Sequence, residues 1–317
     1  MRTWVWLLVG LLLLSGCGSQ ETPGVPPPPE GTLRIATATR AGVYYPVGEA
    51  MATLWGRQIP DAKPAVLLTA GSPENIQLLL KREAEVAFAQ SGVVYGEATE
   101  PGSSLRETLR GLTHLYPNVM QLVVRTDSGI TDPAGLKGKR FVPGAIGSAT
   151  LINAEELLAL YGLTLSDMEV QHMGYAEAAE ALVSGKVDAA LIAGGLPTEA
   201  VRSMLEAGTA RLLNLEPPAV VRRYPWYYPY AIPQGTYPGQ REDVRTVAVA
   251  NILIARADME EELAYQLVRS LYEGRGELLR AHPAADIKIE HALRGITGVL
   301  PLHPGAARYF KKVGVLP

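Results

Sequence analysis

The chain has 317 residues, 47% of them hydrophobic and 19% charged, which is the composition of a folded globular protein rather than a disordered one. Its 29 Lys plus Arg and 32 Asp plus Glu give a formal charge of −3 without a Lys/Arg-rich run, which argues against a nucleic-acid-binding protein. A single cysteine excludes an intramolecular disulfide and a cysteine-based zinc cluster within one chain.

The first 31 residues have the features of a secretion signal followed by a tether. Arg2 precedes an apolar run at 5–14. This run is too short to span a membrane, because a membrane-spanning helix needs about 20 apolar residues. The run ends in Leu14-Ser15-Gly16-Cys17, which resembles the bacterial lipoprotein signal, in which the cysteine is lipidated. We therefore predict a lipoprotein signal peptide over 1–16, lipidation at Cys17 and a proline-rich, extended tether over 17–31. The alternative is an ordinary signal peptide with an incidental cysteine.

The rest of the chain alternates between strand and helix patterns, which indicates an α/β protein with a parallel sheet covered by helices. The predicted strands are 33–37, 65–69, 85–89, 120–125, 139–142, 169–173, 187–193 and 246–254. The predicted helices are 45–58, one opening at Ser72, 148–161, 176–184, one after Pro197, 259–273 and 304–313. A segment rich in proline and tyrosine, 217–241, interrupts the pattern.

The strand–helix pattern starts again near residue 120, and this restart predicts two α/β lobes. The final strand and helices follow the proline-rich interruption, so we expect the chain to return to the first lobe there. The sequence thus predicts lobe one over 32–121 and 246–317, and lobe two over 122–245, with two crossings between them.

Loops of small and polar residues follow the predicted strands. In open α/β sheets ligands bind at the carboxyl ends of the strands, where helix N-terminal amides are free to bind an anion. The same residues also suit ordinary βα turns, but five such loops together favour a ligand site. These loops are Thr39-Arg40-Ala41-Gly42, Ala70-Gly71-Ser72, Gln90-Ser91-Gly92, Gly144-Ala145-Ile146-Gly147-Ser148 and Gly194-Gly195.

Short motifs are spread over residues 33–310. They are Tyr44-Tyr45-Pro46-Val47-Gly48, Gly71-Ser72-Pro73-Glu74-Asn75, Phe88-Ala89-Gln90, Leu115-Tyr116-Pro117, Leu136-Lys137-Gly138-Lys139-Arg140, Gly147-Ser148-Ala149-Thr150, Gly235-Thr236-Tyr237-Pro238-Gly239, Ala281-His282-Pro283-Ala284 and Pro301-Leu302-His303-Pro304-Gly305. Together, in this order, they resemble the TAXI family of TRAP-transporter solute-binding proteins. The resemblance implies a two-lobed periplasmic-binding-protein fold, type II-like, with two α/β lobes joined by a hinge.

The resemblance also implies a function and a location. It implies a receptor outside the cytoplasm that captures a small carboxylate, glutamate- or glutamine-like, between its lobes. The receptor delivers this ligand to the membrane permease of a TRAP transporter. With the lipid anchor, the protein is expected in the periplasm or at the cell surface, held to the membrane. The alternative is a ligand sensor of the same fold that acts on a signalling partner.

Arg40 is the only basic residue in the first predicted ligand loop, where the family usually has a glycine-rich sequence. A guanidinium pairs bidentately with a carboxylate, so Arg40 is a candidate anchor, unless it points to solvent. The hydroxyl and amide residues of the loops are candidate ligand donors and also candidate helix caps. The predicted ligand-binding residues are Thr39, Arg40, Tyr44, Tyr45, Ser72, Asn75, Gln90, Ser91, Gly147, Ser148, Ala149, Thr150 and Gly194.

No pattern in the sequence indicates catalysis. The five histidines lack metal-ligand spacing, and there is no G-x-S-x-G motif, no P-loop lysine and no cysteine after Cys17. We therefore predict a protein that is not an enzyme and that uses no cofactor and no metal ion.

Overall fold

The computed structural model describes residues 31–216 and 219–317. The predicted signal peptide, Cys17 and the tether up to residue 30 lie outside the described residues. Among the described residues, no helix combines the length and the apolar character needed to cross a membrane.

The described residues form ten strands in one sheet, with helices on its faces. The strands are β1 (Leu33–Ala36), β2 (Pro64–Leu67), β3 (Val86–Gln90), β4 (Leu109–Arg125), β5 (Arg140–Val142), β6 (Glu169–Val170), β7 (Ala189–Gly194), β8 (Ala210–Leu213), β9 (Tyr227–Ile232) and β10 (Val244–Arg256). The helices are α1 (Tyr44–Gln58), α2 (Ser72–Leu80), α3 (Ser91–Thr99), α4 (Leu105–Thr108), α5 (Ala149–Ala159), α6 (Tyr175–Val183), α7 (Glu199–Glu206), α8 (Val220–Arg223), α9 (Glu261–Glu273), α10 (Arg275–Ala281) and α11 (Pro304–Lys312).

The strands run in the order β2-β1-β3-β10-β4-β7-β5-β6, with β8 beside β4 and β9 beside β10. The outer pairs are parallel, as predicted: β1 with β2 and β3, and β5 with β6 and β7. The central pairs are antiparallel, which corrects the prediction of a parallel sheet. The reason is that β4 carries the chain from the first half to the second and β10 brings it back in the opposite direction.

Buried side chains form clusters on either side of this central pair. One group packs β1 and β3 against α1, α9 and α11, and includes Leu54 and Phe88. Another packs β5 and β7 against α5 and includes Phe141 and Leu191. Burial of each Leu or Phe contributes about 1.5–3 kcal/mol, so each cluster is a substantial core. The protein is therefore a two-lobed α/β fold.

β4 and β10 contribute to the cores of both lobes. Leu115 and Leu253 pack in the first core, whereas Leu122 and Val247 pack in the second. The two strands consequently join the lobes without a loop between them. The exact lobe boundaries, 32–121 with 246–317 and 122–245, stay a prediction.

The sequence prediction missed several elements of the sheet and its helices. The segment 217–241 was predicted only as an interruption, but it includes α8 and the strand β9, in which Pro229 pairs with Val247 of β10. Proline removes a backbone donor, and it is tolerated here because β9 is at the edge of the sheet path. β4 begins at Leu109 rather than near 120, since Gly111 and Pro117 weaken the strand pattern in its first half.

Candidate functional site

A cavity lies where loops from both lobes meet at the ends of the strands. The centre of a water molecule can move within a volume of about 70 Å³ in this cavity. A single water molecule needs about 10–15 Å³ on the same measure. The cavity therefore has room for a small solute. Its lining residues are Ala38, Thr39, Gly42, Val43, Tyr44, Ala70, Gly71, Ser72, Gln90, Tyr116, Asn118, Ala145, Ser148, Ala149, Thr150, Met173, Gly174, Tyr175, Ala193, Gly194 and Gly195.

Several helices begin at this lining. α1 begins at Tyr44, α2 at Ser72, α5 at Ala149 and α6 at Tyr175, and all four residues line the cavity. The first turn of a helix has backbone N–H groups without intrahelical acceptors and the positive end of the helix dipole. Helices from both lobes thus place positive potential and amide donors around one cavity, which is the arrangement that binds an anion.

Two of these helix starts illustrate how the local sequence shapes the site. The backbone of Gly71, just before α2, has φ +116°, a conformation that favours glycine because it has no Cβ. Ser148 caps α5, with its Oγ accepting a hydrogen bond from the Leu151 N–H at 3.2 Å. The Ser72 Oγ accepts from the Gln90 N–H at 3.0 Å, so it joins α2 to the end of β3.

The cavity lining contains no Asp, Glu, Lys, Arg or His, among the residues that the structure describes. Its polar groups are hydroxyls, amides and backbone N–H groups. Burial raises the pKa values of the phenols of Tyr44, Tyr116 and Tyr175, so they stay protonated and able to donate. A bound anion would be held here by neutral donors and helix N-termini alone.

Tyr175 organises the second-lobe side of the cavity. Its O–H donates to the Ala193 carbonyl oxygen at 2.6 Å, and its oxygen accepts from the Ala193 N–H at 3.2 Å. Because the Tyr175 proton is committed to Ala193, the Thr150 hydroxyl at 2.7 Å is the donor to Tyr175. These bonds fix Thr150 beside the start of α5.

Eight of the predicted ligand-binding residues line the cavity, and their role in binding stays a prediction. These residues are Thr39, Tyr44, Ser72, Gln90, Ser148, Ala149, Thr150 and Gly194. They come from five loops of the two lobes, so the fold brings together residues up to about half the chain apart.

Arg40 and Tyr45 lie outside the cavity lining. Arg40 is exposed, and its guanidinium carbon lies 4.4 Å from the centre of the Tyr45 ring. This is a cation–π contact at the surface, so the positive charge of Arg40 is directed onto Tyr45 rather than into the cavity. In this geometry Arg40 is not positioned to anchor a ligand carboxylate.

Three other predicted residues also lie outside the lining. Asn75 is buried, and its Nδ2 donates to the backbone oxygens of Thr37 and Phe88, which ties the ends of β1 and β3 together. Ser91 is buried at the start of α3, where its Oγ lies close to Gly295. Gly147 is exposed in a turn with φ +77°. These placements favour structural roles for the three residues.

The sequence prediction missed Tyr116, Asn118 and Tyr175 as cavity residues. Tyr116 and Asn118 are two positions apart on β4 and so share a face of that strand. The sequence pattern predicts only the second half of β4, so it does not place these two residues on a strand that reaches the cavity. No group of three or more His, Cys, Asp or Glu suited to a metal ion is found among residues 31–216 and 219–317.

The fold and the cavity define the class of protein: a two-lobed α/β protein of the periplasmic-binding-protein fold, with a small-molecule cavity between its lobes. The chain belongs to the NMT1-like family, whose model matches residues 35–314.

Solved structures share this fold at low sequence identity. The periplasmic aliphatic sulphonate binding protein SsuA from Escherichia coli aligns with TM-score 0.51 and 18% identity over 88% of this chain and 82% of that chain. A protein from Bordetella bronchiseptica RB50 aligns with TM-score 0.57 and 16% identity over 90% of this chain and 98% of that chain. XAC2383 from Xanthomonas citri, solved bound to ATP, aligns with TM-score 0.52 and 13% identity over 90% and 96%.

Proposed function

We propose that this chain is a solute receptor outside the cytoplasm that captures a small carboxylate, glutamate- or glutamine-like, and delivers it to a TRAP-type secondary transporter. The observation that carries the proposal is the cavity between the lobes, where α1, α2, α5 and α6 begin and no lining residue of the described chain is charged. Helix N-termini and neutral donors suit one buried anionic group. The receptor role is also consistent with the NMT1-like family and the periplasmic-binding-protein fold.

The choice of a carboxylate and of a TRAP transporter comes from the sequence motifs that resemble TAXI proteins. SsuA, which has the same fold, is by its name a sulphonate-binding protein. The hydrogen-bond donors of this cavity could also donate to the oxygens of a sulphonate. The proposed lipid anchor at Cys17 would hold the receptor in the periplasm or at the cell surface, next to its permease. We propose no reaction on the ligand, so the ligand should be released chemically unchanged.

Mass spectrometry of the ligand that co-purifies with the native protein tests the proposal, together with calorimetry on matched probes. We expect a small carboxylate, bound at one per chain and recovered unchanged after hours of incubation. L-glutamine and L-glutamate should bind more tightly than taurine, which has a sulphonate in place of a carboxylate. Tighter binding of taurine, or steady conversion of the ligand by the pure protein, would contradict the proposal.

Delivery needs a separate experiment. We expect the purified receptor to stimulate uptake of its ligand into proteoliposomes that contain a TRAP permease from the same genome and an ion gradient. The matched control is the same receptor carrying Gly195→Ala, which should not close on its ligand. Ligand binding without any effect on uptake would instead favour the alternative of a sensor for a signalling partner.

A further inference from the structure

Three buried polar side chains form a row across neighbouring strands at the cavity. Asn251 on β10 pairs in register with Gln90 on β3 and with Tyr116 on β4. Residues directly opposite each other on antiparallel strands have their side chains on the same face of the sheet. Gln90, Asn251 and Tyr116 are 3%, 0% and 2% exposed, and Gln90 and Tyr116 line the cavity.

Each member of this polar row has an atom without a hydrogen-bond partner among the described residues: Gln90 Oε1, Asn251 Nδ2 and the Tyr116 hydroxyl. The Asn251 amide is oriented by Tyr44, whose O–H donates to Asn251 Oδ1 at 2.6 Å. Buried polar groups are normally paired, since a missing partner costs about 1–3 kcal/mol. Two of the three atoms, Gln90 Oε1 and the Tyr116 hydroxyl, belong to residues that line the cavity, and they therefore indicate a place where a ligand supplies the partners.

The strand geometry is consistent with a ligand-binding site at the polar row. The register of β10 against β4 shifts between Asn251 and Ile252, which is a β-bulge next to the row. Bulges redirect side chains and are frequent beside functional sites. Here the bulge lies next to the one residue that pairs with both Gln90 and Tyr116.

The charges around the cavity limit what the row can bind. Among the described residues the lining has no cation, and Arg40 lies outside it on the Tyr45 ring. Helix N-termini can stabilise one carboxylate, but a second one would be buried beside the acceptor Gln90 Oε1 with no positive partner. Burying a charge without a partner is far more costly than burying an uncharged polar group that makes hydrogen bonds.

We propose that the polar row binds an uncharged hydrogen-bonding group of the ligand, so that the cavity selects a monocarboxylate with an amide or hydroxyl end over a dicarboxylate. Gln90 Oε1 accepts from this group, and the Tyr116 hydroxyl donates to it or accepts from it. Asn251 is a positioning residue between the two. This inference rests on the proposed function as a carboxylate receptor, and it adds which class of carboxylate is bound.

Calorimetry on the purified protein with matched pairs of probes tests the inference. The pairs are L-glutamine with L-glutamate, L-asparagine with L-aspartate, and glutaramate with glutarate, each pair differing only in an amide against a carboxylate. We expect the amide member of the best-binding pair to bind at least tenfold more tightly than its acid. Equal or tighter binding of the dicarboxylate would overturn the inference and leave the carboxylate receptor standing. Binding only to sulphonates would overturn both.

Variants of the row supply a second readout. Tyr116→Phe keeps the ring and removes the hydroxyl, so we expect the amide-to-acid affinity ratio to fall at least fivefold. Tyr161→Phe removes a phenol outside the cavity and should leave that ratio unchanged. A structural defect in Tyr116→Phe would weaken both members of a pair equally, and an unchanged ratio would therefore overturn the role of Tyr116. Gln90→Glu should also lower the affinity for the amide, because it places a buried negative charge in a row that is otherwise uncharged, close to the carboxylate of the ligand.

Discussion

Gly195 lies so close to Ala284 that a Cβ atom on Gly195 would be 2.5 Å from the Ala284 Cβ, and 3.0 Å from the Tyr116 ring. Gly195 follows β7 of the second lobe, whereas Ala284 packs against the core of the first. Gly42 similarly approaches the Tyr175 ring, at 3.8 Å from a Cβ placed on it. These contacts cross the cleft, so the two lobes touch each other beside the cavity in this structure.

Gly195→Ala should prevent full closure, because the added methyl group has no space beside Ala284. We expect at least a tenfold loss of affinity for the native ligand in calorimetry. Solution scattering should show that the wild type contracts with ligand and that the variant does not. Gly96→Ala is the matched control, since a Cβ at Gly96 in α3 meets nothing within 4 Å. Wild-type affinity in Gly195→Ala would show that this contact does not matter for closure.

Arg40→Ala should have little effect on binding. Arg40 is exposed and its guanidinium lies on the Tyr45 ring, so its loss resembles the loss of a surface pair, about 0–1 kcal/mol. We expect less than a threefold change in the dissociation constant by calorimetry at 0.15 M salt. A loss of 30-fold or more would instead place Arg40 against the ligand in solution.

Ligand affinity should be nearly independent of pH between 6 and 8. The described lining has no acidic, basic or histidine side chain, and burial raises the pKa values of Tyr44, Tyr116 and Tyr175 above their ordinary range. Neither the cavity nor a carboxylate ligand therefore changes charge over this interval. Calorimetric titrations in buffers of different ionisation enthalpy should show no proton uptake or release. A tenfold change in affinity would reveal a titrating group at the site.

The free energy of unfolding, in contrast, should depend on pH through His114. Burial, together with the charges of Arg294 and His291, lowers the pKa of His114 to about 3. Between pH 6.5 and 3 the unfolded chain binds a proton at this position and the folded chain does not, so stability falls as the pH falls. His114→Phe should reduce this slope in urea unfolding measured from pH 7 to 4. The same substitution at the exposed His172 is the matched control for the loss of an imidazole.

Much of the fold followed from local patterns in the sequence. The helix predicted at 45–58 is α1 (Tyr44–Gln58), and the strand predicted at 85–89 is β3 (Val86–Gln90). The loops after β1, β2, β3, β5 and β7 all contribute residues to the cavity, because the ends of parallel strands meet at one edge of a sheet. The prediction of a two-lobed α/β fold is confirmed.

The site residues that the sequence did not predict depend on contacts between residues that are far apart in the sequence. Tyr116 and Asn118 reach the cavity only because β10 pairs with β4, more than a hundred residues away. Asn75 has the residue type of a ligand contact, but its Nδ2 bonds backbone oxygens of neighbouring strands, which local sequence does not reveal. The sequence leaves Arg40 open between ligand and solvent; the structure places its guanidinium on the Tyr45 ring, and its role in binding stays a prediction.

The lipid anchor is tested independently of the fold. Cys17→Ala removes the thiol that the predicted lipoprotein signal would modify. We expect the variant to stay uncleaved or to appear in the soluble fraction, whereas the wild type sediments with membranes and incorporates labelled palmitate. A variant that matures and fractionates like the wild type would show that residues 1–16 are an ordinary signal peptide.

The two strands shared by the lobes have a mechanical consequence. β4 and β10 form a hydrogen-bonded ladder over residues 109–119 and 248–256, and its register shifts at two places. Because β4 and β10 run through both cores, we expect closing to twist this ladder about those irregular points. The twisted ladder would then store strain energy when a ligand draws the lobes together. We expect the release of this strain to help the cleft reopen when a ligand leaves.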